Sequence, residues 1–435
     1  MRTTRTISLK KEPRLKGKLL VWAQQYEVVF WLDSNAATRN FNAKYSSFEA
    51  VLALEVHKEL QCGCKTAFEK LKAFRRECND HIFGYFSYDL KNDIEELTSD
   101  NFDGLKFPDL YFFQPKKLFY FKDDRLILSY LKEYEDEMKK DIEAIKKISL
   151  KEQNPSGSEK IQINARIPKR SYFKKIENVL GHIHRGDIYE VNFCQEFYAE
   201  DAEIEPLHVY NKLNEISGPP FANFIKLNDK YLLSASPERF VKKTGNKVIS
   251  QPIKGTARRS SDPDRDAKLA RELSKDPKER AENIMIADLV RNDLSRTAVK
   301  GSVIVEELCG TYTFKQVHQL ISTVTSEVSK VTDPVDIIKS LFPMGSMTGA
   351  PKISAMEIIE ELEETKRGLY SGAVGYFTPD NDFDFNVVIR SILYNKREKY
   401  VSFTVGGAIT AKSVVENEYE ECMVKAVAMK KALND

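Results

Sequence analysis

Beyond Pro168 the chain alternates short β-prone runs with amphipathic helical stretches, and this alternation limits the folds open to it. Runs at 222–227, 231–236 and 247–253 read as a strand meander. Three more strands are expected at 371–377, 385–394 and 400–409, joined by turn-like segments at 379–384 and 395–399. A helix is expected over 171–185, with Phe173, Ile176, Val179, Leu180 and Ile183 on one face. Gly186 suits its C′ position, and a strand follows at 188–197. The first third has strand-like runs at 28–32 and 118–121, a helical stretch around 48–60, and a charge-rich helical period over 133–148. The polar segment 151–159 reads as a linker, dividing a region 1–150 from a region 165–430. The expected class is α+β, with two packed, mainly antiparallel β-sheets flanked by helices.

Charge excludes one class of partner. The 67 basic residues are interspersed with 65 acidic ones, for a net charge of +2, which gives no footprint for nucleic acid. A basic cluster at the N-terminus (Arg2, Arg5, Lys10, Lys11, Arg14) has no apolar signal core behind it and reads as a solvated end. No run approaches the ~18 apolar residues of a membrane span. Six scattered cysteines match no zinc spacing and suggest a reducing, cytoplasmic setting. Cys62-Gly-Cys64 is a metal or redox pair on one reading and a plain surface loop on the other.

Four groups of residues carry chemistry. The first is Gln-Pro-Ile-Lys-Gly-Thr at 251–256. Lys254 at a strand end can be a nucleophile if desolvation or a nearby cation lowers its pKa; otherwise it is one more solvated lysine. Ser-Pro-Glu at 236–238 closes an earlier strand. If those strands pair as a hairpin, Glu238 shares a site with Lys254 and is a candidate acid or base.

The second is a pair of glutamate pairs. Glu279 and Glu282 share a face of a helix that starts at Asp276-Pro277. Glu418 and Glu421 repeat the spacing on another amphipathic helix. Such carboxylates can hold Mg²⁺ with waters left on it, or can be ordinary solvated faces.

The third is the loop 345–352, Gly-Ser-Met-Thr-Gly-Ala-Pro-Lys, which feeds a helix. Thr348, Gly349 and Lys352 belong either to a backbone N–H anion site or to a tight loop packed on a sheet. The fourth is Arg390, expected mid-strand, which needs an anionic partner: a ligand carboxylate or a structural ion pair. Tyr370 precedes the strand at 371–377, and Gly406-Gly407 is expected to break the last strand where something approaches the backbone.

These segments together resemble the chorismate-utilising enzymes, densely over about 165–430. The matching pieces are Gly-Asp-Ile-Tyr-Glu-Val-Asn at 186–192, Ser-Ala-Ser-Pro-Glu at 234–238, Pro-Ile-Lys-Gly-Thr at 252–256 and residues 281–293. The 348–352 loop, Arg-Gly-Leu-Tyr-Ser-Gly at 367–372 and residues 413–425 complete the set. The first third is similar more weakly, through Leu-Asp-Ser at 32–34 and Gly-Tyr-Phe-Ser-Tyr-Asp at 84–89.

The resemblance implies a fold like that of anthranilate synthase component I, and three positions choose the branch. Lys254 looks like the nucleophilic lysine of aminodeoxychorismate synthases, where anthranilate synthases usually carry alanine. Glu190 stands where isochorismate and salicylate synthases carry a water-activating lysine, and is itself a departure from the more familiar glutamine. Gln319 falls where anthranilate synthases place a histidine linked to pyruvate release, with His318 one residue off.

The implied chemistry is amination of chorismate without pyruvate loss, as in aminodeoxychorismate synthase component I. In it Mg²⁺ is held by Glu279, Glu282, Glu418 and Glu421, and Lys254, its pKa lowered by the metal and burial, attacks the ring while Glu238 protonates the departing hydroxyl. Tyr370, Arg390, the backbone at Gly406 and Gly407, and residues Thr256, Thr348, Gly349 and Lys352 are implied to bind substrate. Ser34 is implied to line a tryptophan pocket. Ammonia is implied to come from a separate glutaminase subunit, since no glutaminase nucleophile elbow surrounds any of the six cysteines. Anthranilate synthase component I is the near alternative, and a silent chorismate- or tryptophan-binding regulator the far one.

Overall fold

The computed structural model describes residues 1–9, 14–35, 45, 47–150 and 160–434. The linker expected at 151–159 lies outside the described residues. Among the described residues, twenty strands join in one network of antiparallel pairings. The network folds into two sheets that share a long strand pair, Ala50–Cys62 and Leu110–Lys122. One sheet runs from this pair through Val28–Asp33, Phe221–Leu227, Lys230–Ser236, Ser391–Asn395 and Tyr400–Thr410 to Glu190–Ala199. The other runs through Ile82–Phe86, Ala373–Phe377, Phe383–Val387, Arg239–Thr244 and Lys247–Gln251 to Val317–Glu327. Strands from 1–150 and from 165–430 therefore pair directly in both sheets.

Alternation along the strands shows how the layers pack. Val28, Phe30 and Leu32 join Phe86, Val241, Val374 and Phe385 in a core between the sheets. Val29 and Trp31 face the other way, onto helices carrying Leu19, Leu213, Ala426 and Met429. Both faces of this strand are buried, which is why its sequence is a continuous apolar run.

The same burial corrects the helix expected at 48–60. Ala50–Cys62 is a strand, with Val51 and Ala53 in the inter-sheet core and Ala50, Leu52 and Leu54 in the outer one. An apolar run buried on both faces carries no period of its own, so pairing with strands on either side decides its conformation. The helix Lys169–Arg185 forms as expected, and Gly186 ends it in the left-handed region at φ 86°. The charge-rich helix also forms, as Glu137–Lys147.

The expected strand 385–394 is two strands. Phe383–Val387 pairs with Ala373–Phe377 and Arg239–Thr244 in one sheet, and Ser391–Asn395 pairs with Lys230–Ser236 and Tyr400–Thr410 in the other. Arg390 sits at the crossing with φ 53°, not mid-strand. Conversely, Gly406 and Gly407 do not break their strand: Tyr400–Thr410 runs through both, paired with Glu190–Ala199. At Gly406 a Cβ would lie 2.3 Å from Cys194 Sγ, so only glycine allows this strand pair to close.

The inter-sheet core makes a direct prediction. Phe30→Ala should lower unfolding stability by about 3–5 kcal/mol, read as a fall in urea midpoint with unchanged slope.

Candidate active site

Two direct strand-to-strand crossings between the sheets run side by side. Pro237-Glu238 carries the chain from Lys230–Ser236 to Arg239–Thr244, and Val388–Arg390 carries it between Phe383–Val387 and Ser391–Asn395. The crossings are stitched together: Val387 N–H donates to the Glu238 carbonyl at 3.0 Å, and Ala235 N–H to the Arg390 carbonyl at 3.1 Å. Glu238 and Arg390 thereby enter the wall of one cavity of about 710 Å³.

Lys254 reaches the same cavity from a bulge. The strand Ile253–Arg258 shifts register against Val317–Glu327 between Ile253 and Thr256. Gly255 takes φ 92° there, and a Cβ on it would press on Leu320 and Glu279. Buried Asn283 donates to the Lys254 and Leu320 carbonyls, both at 3.0 Å, satisfying two acceptors at the irregularity.

The carboxylate pairs arrive on two helices, each beside this cavity. Asp276 caps the helix Pro277–Ser295 by accepting from the Lys278 and Glu279 amides at 2.9 Å, which fixes where Glu279 and Glu282 fall. Glu418 and Glu421 come from Val415–Asn434. All four line the cavity, as do Tyr370, Thr256 and Gly406. The Thr256 amide donates to Glu279 at 3.3 Å.

Other expected residues lie elsewhere. Gly407 sits under the last helix, where a Cβ would be 3.4 Å from Glu418 Oε2. The 348–352 loop packs on a strand: the Asn192 amide donates to the Thr348 carbonyl, and a Cβ on Gly349 would fall 2.2 Å from the Glu190 carbonyl. Lys352 is ion-paired with Asp293 at 2.6 Å, away from the cavity lining. Ser346 and Met347, just before that loop, line the cavity instead. Ser34 lines a separate small pocket with Phe48, Asn223 and Arg239.

Electrostatics give each group a character. Burial pushes the Glu238 carboxyl up to about 7, against the Ser346 hydroxyl that donates to it at 2.7 Å and the nearby Lys254 charge. Burial also pushes Glu282 up to about 7, and raises Glu279 and Glu418 with help from the Glu421 charge. Glu421 is held down by Lys425, its ion-pair partner at 2.6 Å. Burial pulls Arg390 down, and its guanidinium has no hydrogen-bond or ion-pair partner among the described residues. A structural ion pair for Arg390 is thereby replaced by an arginine facing the cavity unpartnered.

Lys254 has a partner that its neighbours along the chain do not show. Burial pulls its pKa down, but the Glu190 carboxylate 3.1 Å away, with Glu282 and Glu238 beyond it, more than compensates. With no cation beside it, its pKa is raised. The sequence offered no sign of this, because Glu190 lies on a distant strand. Ser346 was also hidden, inside a motif read as an anion loop.

The oxygen donors on the two helices fit a hard cation such as Mg²⁺ in chemistry, and their mutual repulsion is what a cation relieves. As they stand, no three acidic, histidine or cysteine side chains among the described residues converge to hold a metal. Lys425 holds Glu421, and Lys278 lies 3.8 Å from Glu282.

Residues 24–431 match the family model for chorismate binding enzymes, and the chain belongs to that family. It is 41% identical to aminodeoxychorismate synthase component 1 of Salmonella typhimurium over 58% of this chain and 55% of that protein. The match thus spans about half of that relative's length. It is 33% identical to the Bacillus subtilis protein of the same name over 80% of this chain and 76% of that one. Anthranilate synthase component 1 of Thermus thermophilus is 34% identical over 81% and 77%. Among solved structures, anthranilate synthase component I of Streptococcus pneumoniae superposes with a TM-score of 0.78 at 25% identity, covering 87% of this chain and 91% of that one. No described helix is long and apolar enough to cross a membrane.

Glu238 predicts a pH dependence of stability. Its folded pKa is about 7, above the ordinary 4.5, so its contribution is present below about 4.5 and is lost as pH rises to about 7. Glu238→Gln should remove roughly 3 kcal/mol of the stability lost between about pH 5 and pH 8, measured by urea unfolding at both. An unchanged loss would place the Glu238 titration elsewhere.

Proposed function

We propose that this chain aminates chorismate at C4, as the synthase component of an aminodeoxychorismate synthase. The observation that carries the reading is Lys254 and Glu238 together in one cavity with unpartnered Arg390. Arg390 and Tyr370 would take the enolpyruvyl carboxylate, the guanidinium fork matching its two oxygens. Mg²⁺, when held by Glu279, Glu282, Glu418 and Glu421, would supply charge neutralisation at the ring carboxylate.

The chain's own groups do the rest. The free amine of Lys254 attacks C2, the ring double bonds shift, and the C4 hydroxyl leaves as water with a proton from Glu238. Glu238, with a pKa of about 7, is part protonated at neutral pH, as a general acid must be. Ammonia then attacks C4, the double bonds shift back, and Lys254 leaves C2. Chorismate and ammonia become 4-amino-4-deoxychorismate and water. The relatives' designation as component 1 supports a second component. A separate glutaminase subunit is the proposed source of the ammonia. A cytoplasmic enzyme of 4-aminobenzoate synthesis is the setting that fits.

Anthranilate synthase activity is the second reading, favoured by the long Thermus match. Against it, Gln319 lines the cavity, whereas His318 is buried and turned to Asp266 at 3.0 Å. Among the described residues, no histidine lines the cavity to serve pyruvate release.

The test is product analysis with chorismate, Mg²⁺ and excess ammonium. An aminated product that keeps its enolpyruvyl group is expected; anthranilate with pyruvate would overturn the assignment. Glu238→Gln should lower turnover by about 10²- to 10⁴-fold. Chelation should abolish turnover and Mg²⁺ restore it, with Glu282→Gln requiring more Mg²⁺ for half-maximal rate. Full turnover in the presence of chelator would remove the metal from the account.

A further inference from the structure

Lys254 has one carboxylate within ion-pair distance among the described residues, and it is not one of the four on the helices. It is Glu190, at the start of the strand Glu190–Ala199. Glu190 is 1% exposed and stands outside the cavity lining. Its Oε1 meets Lys254 Nζ at 3.1 Å, and its buried Oε2 has no hydrogen-bond partner. A buried carboxylate with one orphaned oxygen depends on this single cation for its compensation. The lysine is in turn the only part of the pair that faces the cavity.

We propose that Glu190 is a positioning residue that masks Lys254, holding it as an ammonium until the pair is broken. This rests on the reading of Lys254 as the nucleophile. An ammonium has no lone pair, so the amine attacks only after losing a proton. Glu190 sets how readily that happens, and its hydrogen bond also fixes where Nζ waits.

The surrounding charges do not cancel this effect. Glu238 faces Lys254 from the crossing, and Glu282 and Glu279 face it from the helix Pro277–Ser295, with Lys278 beside them. Glu418, Glu421 and Lys425 line the cavity from the last helix. Arg390, Arg258 and Arg259 supply positive charge at the walls. Of these groups, Glu190 exerts the largest charge effect on Lys254 and is its hydrogen-bond partner. Substrate, arriving with two carboxylates of its own, adds negative charge to the cavity. Unmasking therefore requires a compensating positive charge or movement of Glu190 away from Nζ.

The test uses Glu190→Gln, which keeps size and hydrogen bonding but removes the charge. The full-length protein, free of substrate and divalent ions, is treated with an amine-acylating reagent, and modification of Lys254 is followed by peptide mass. An opposite charge at this range shifts a pKa by about 1–3 units, so at about pH 8 Lys254 should acylate about 10- to 1,000-fold faster in E190Q. The rate should rise with pH in both proteins, with the E190Q curve displaced to lower pH. An equal or slower rate in E190Q overturns the proposal. If E190Q does not fold, Glu190→Asp carries the test: the shortened side chain weakens the pair, so faster acylation supports masking and an unchanged rate refutes it. Because no turnover is involved, the outcome is separate from the fate of the nucleophile reading. Failure of Lys254→Ala to affect amination would sink the nucleophile and leave the measured Glu190–Lys254 coupling standing.

Discussion

Two backbone hydrogen bonds hold the architecture of the site. The amides of Val387 and Ala235 reach across to the carbonyls of Glu238 and Arg390, at the points where the chain leaves one sheet for the other. Each crossing interrupts regular pairing, so each would otherwise leave polar backbone unsatisfied in a buried region. Pairing the crossings with each other solves that problem and places an acid and a cation on one wall. The inter-sheet core then fixes the separation of the sheets, and with it the separation of these groups from Lys254.

The cavity is built around buried charge that is only partly compensated. Glu238 and Glu282 hold protons to about pH 7, Arg390 has no partner among the described residues, and Lys254 is tied to a carboxylate behind it. Such an arrangement is unfavourable in an empty site, and under the proposed function a dianion and a hard cation would supply the missing opposite charges. Preorganised charge of this kind lowers barriers without reorganisation at the moment of reaction. Helix ends reinforce it: capping by Asp276 sets the phase of the Glu279–Glu282 face before any ligand arrives.

Much of this was legible in the sequence, and the failures have physical causes. The helix ending at Gly186 was readable because one face is apolar and the glycine sits where a positive φ is needed. Lys254, Glu238 and the four glutamates were readable as short motifs, and they do share one cavity. The strand Ala50–Cys62 reads as helix along the chain because its first half, Ala50–Leu54, is buried on both faces and carries no strand period. The break at Arg390 was invisible because the apolar run through Val388 and Ile389 continues while the chain changes sheets. The pairing of Lys254 with Glu190 was not legible because the two residues are close only in the folded chain. Local pattern records what a residue is bonded to along the chain, and these three properties depend on what lies across it.

The most direct measurement is the mass of the protein after incubation with chorismate and Mg²⁺ in the absence of ammonia. The account predicts an adduct equal to chorismate less one water, located on the peptide bearing Lys254 and discharged when ammonium is added. Rapid amination by the same preparation with no adduct trapped on Lys254, and with Lys254→Ala equally active, would contradict it.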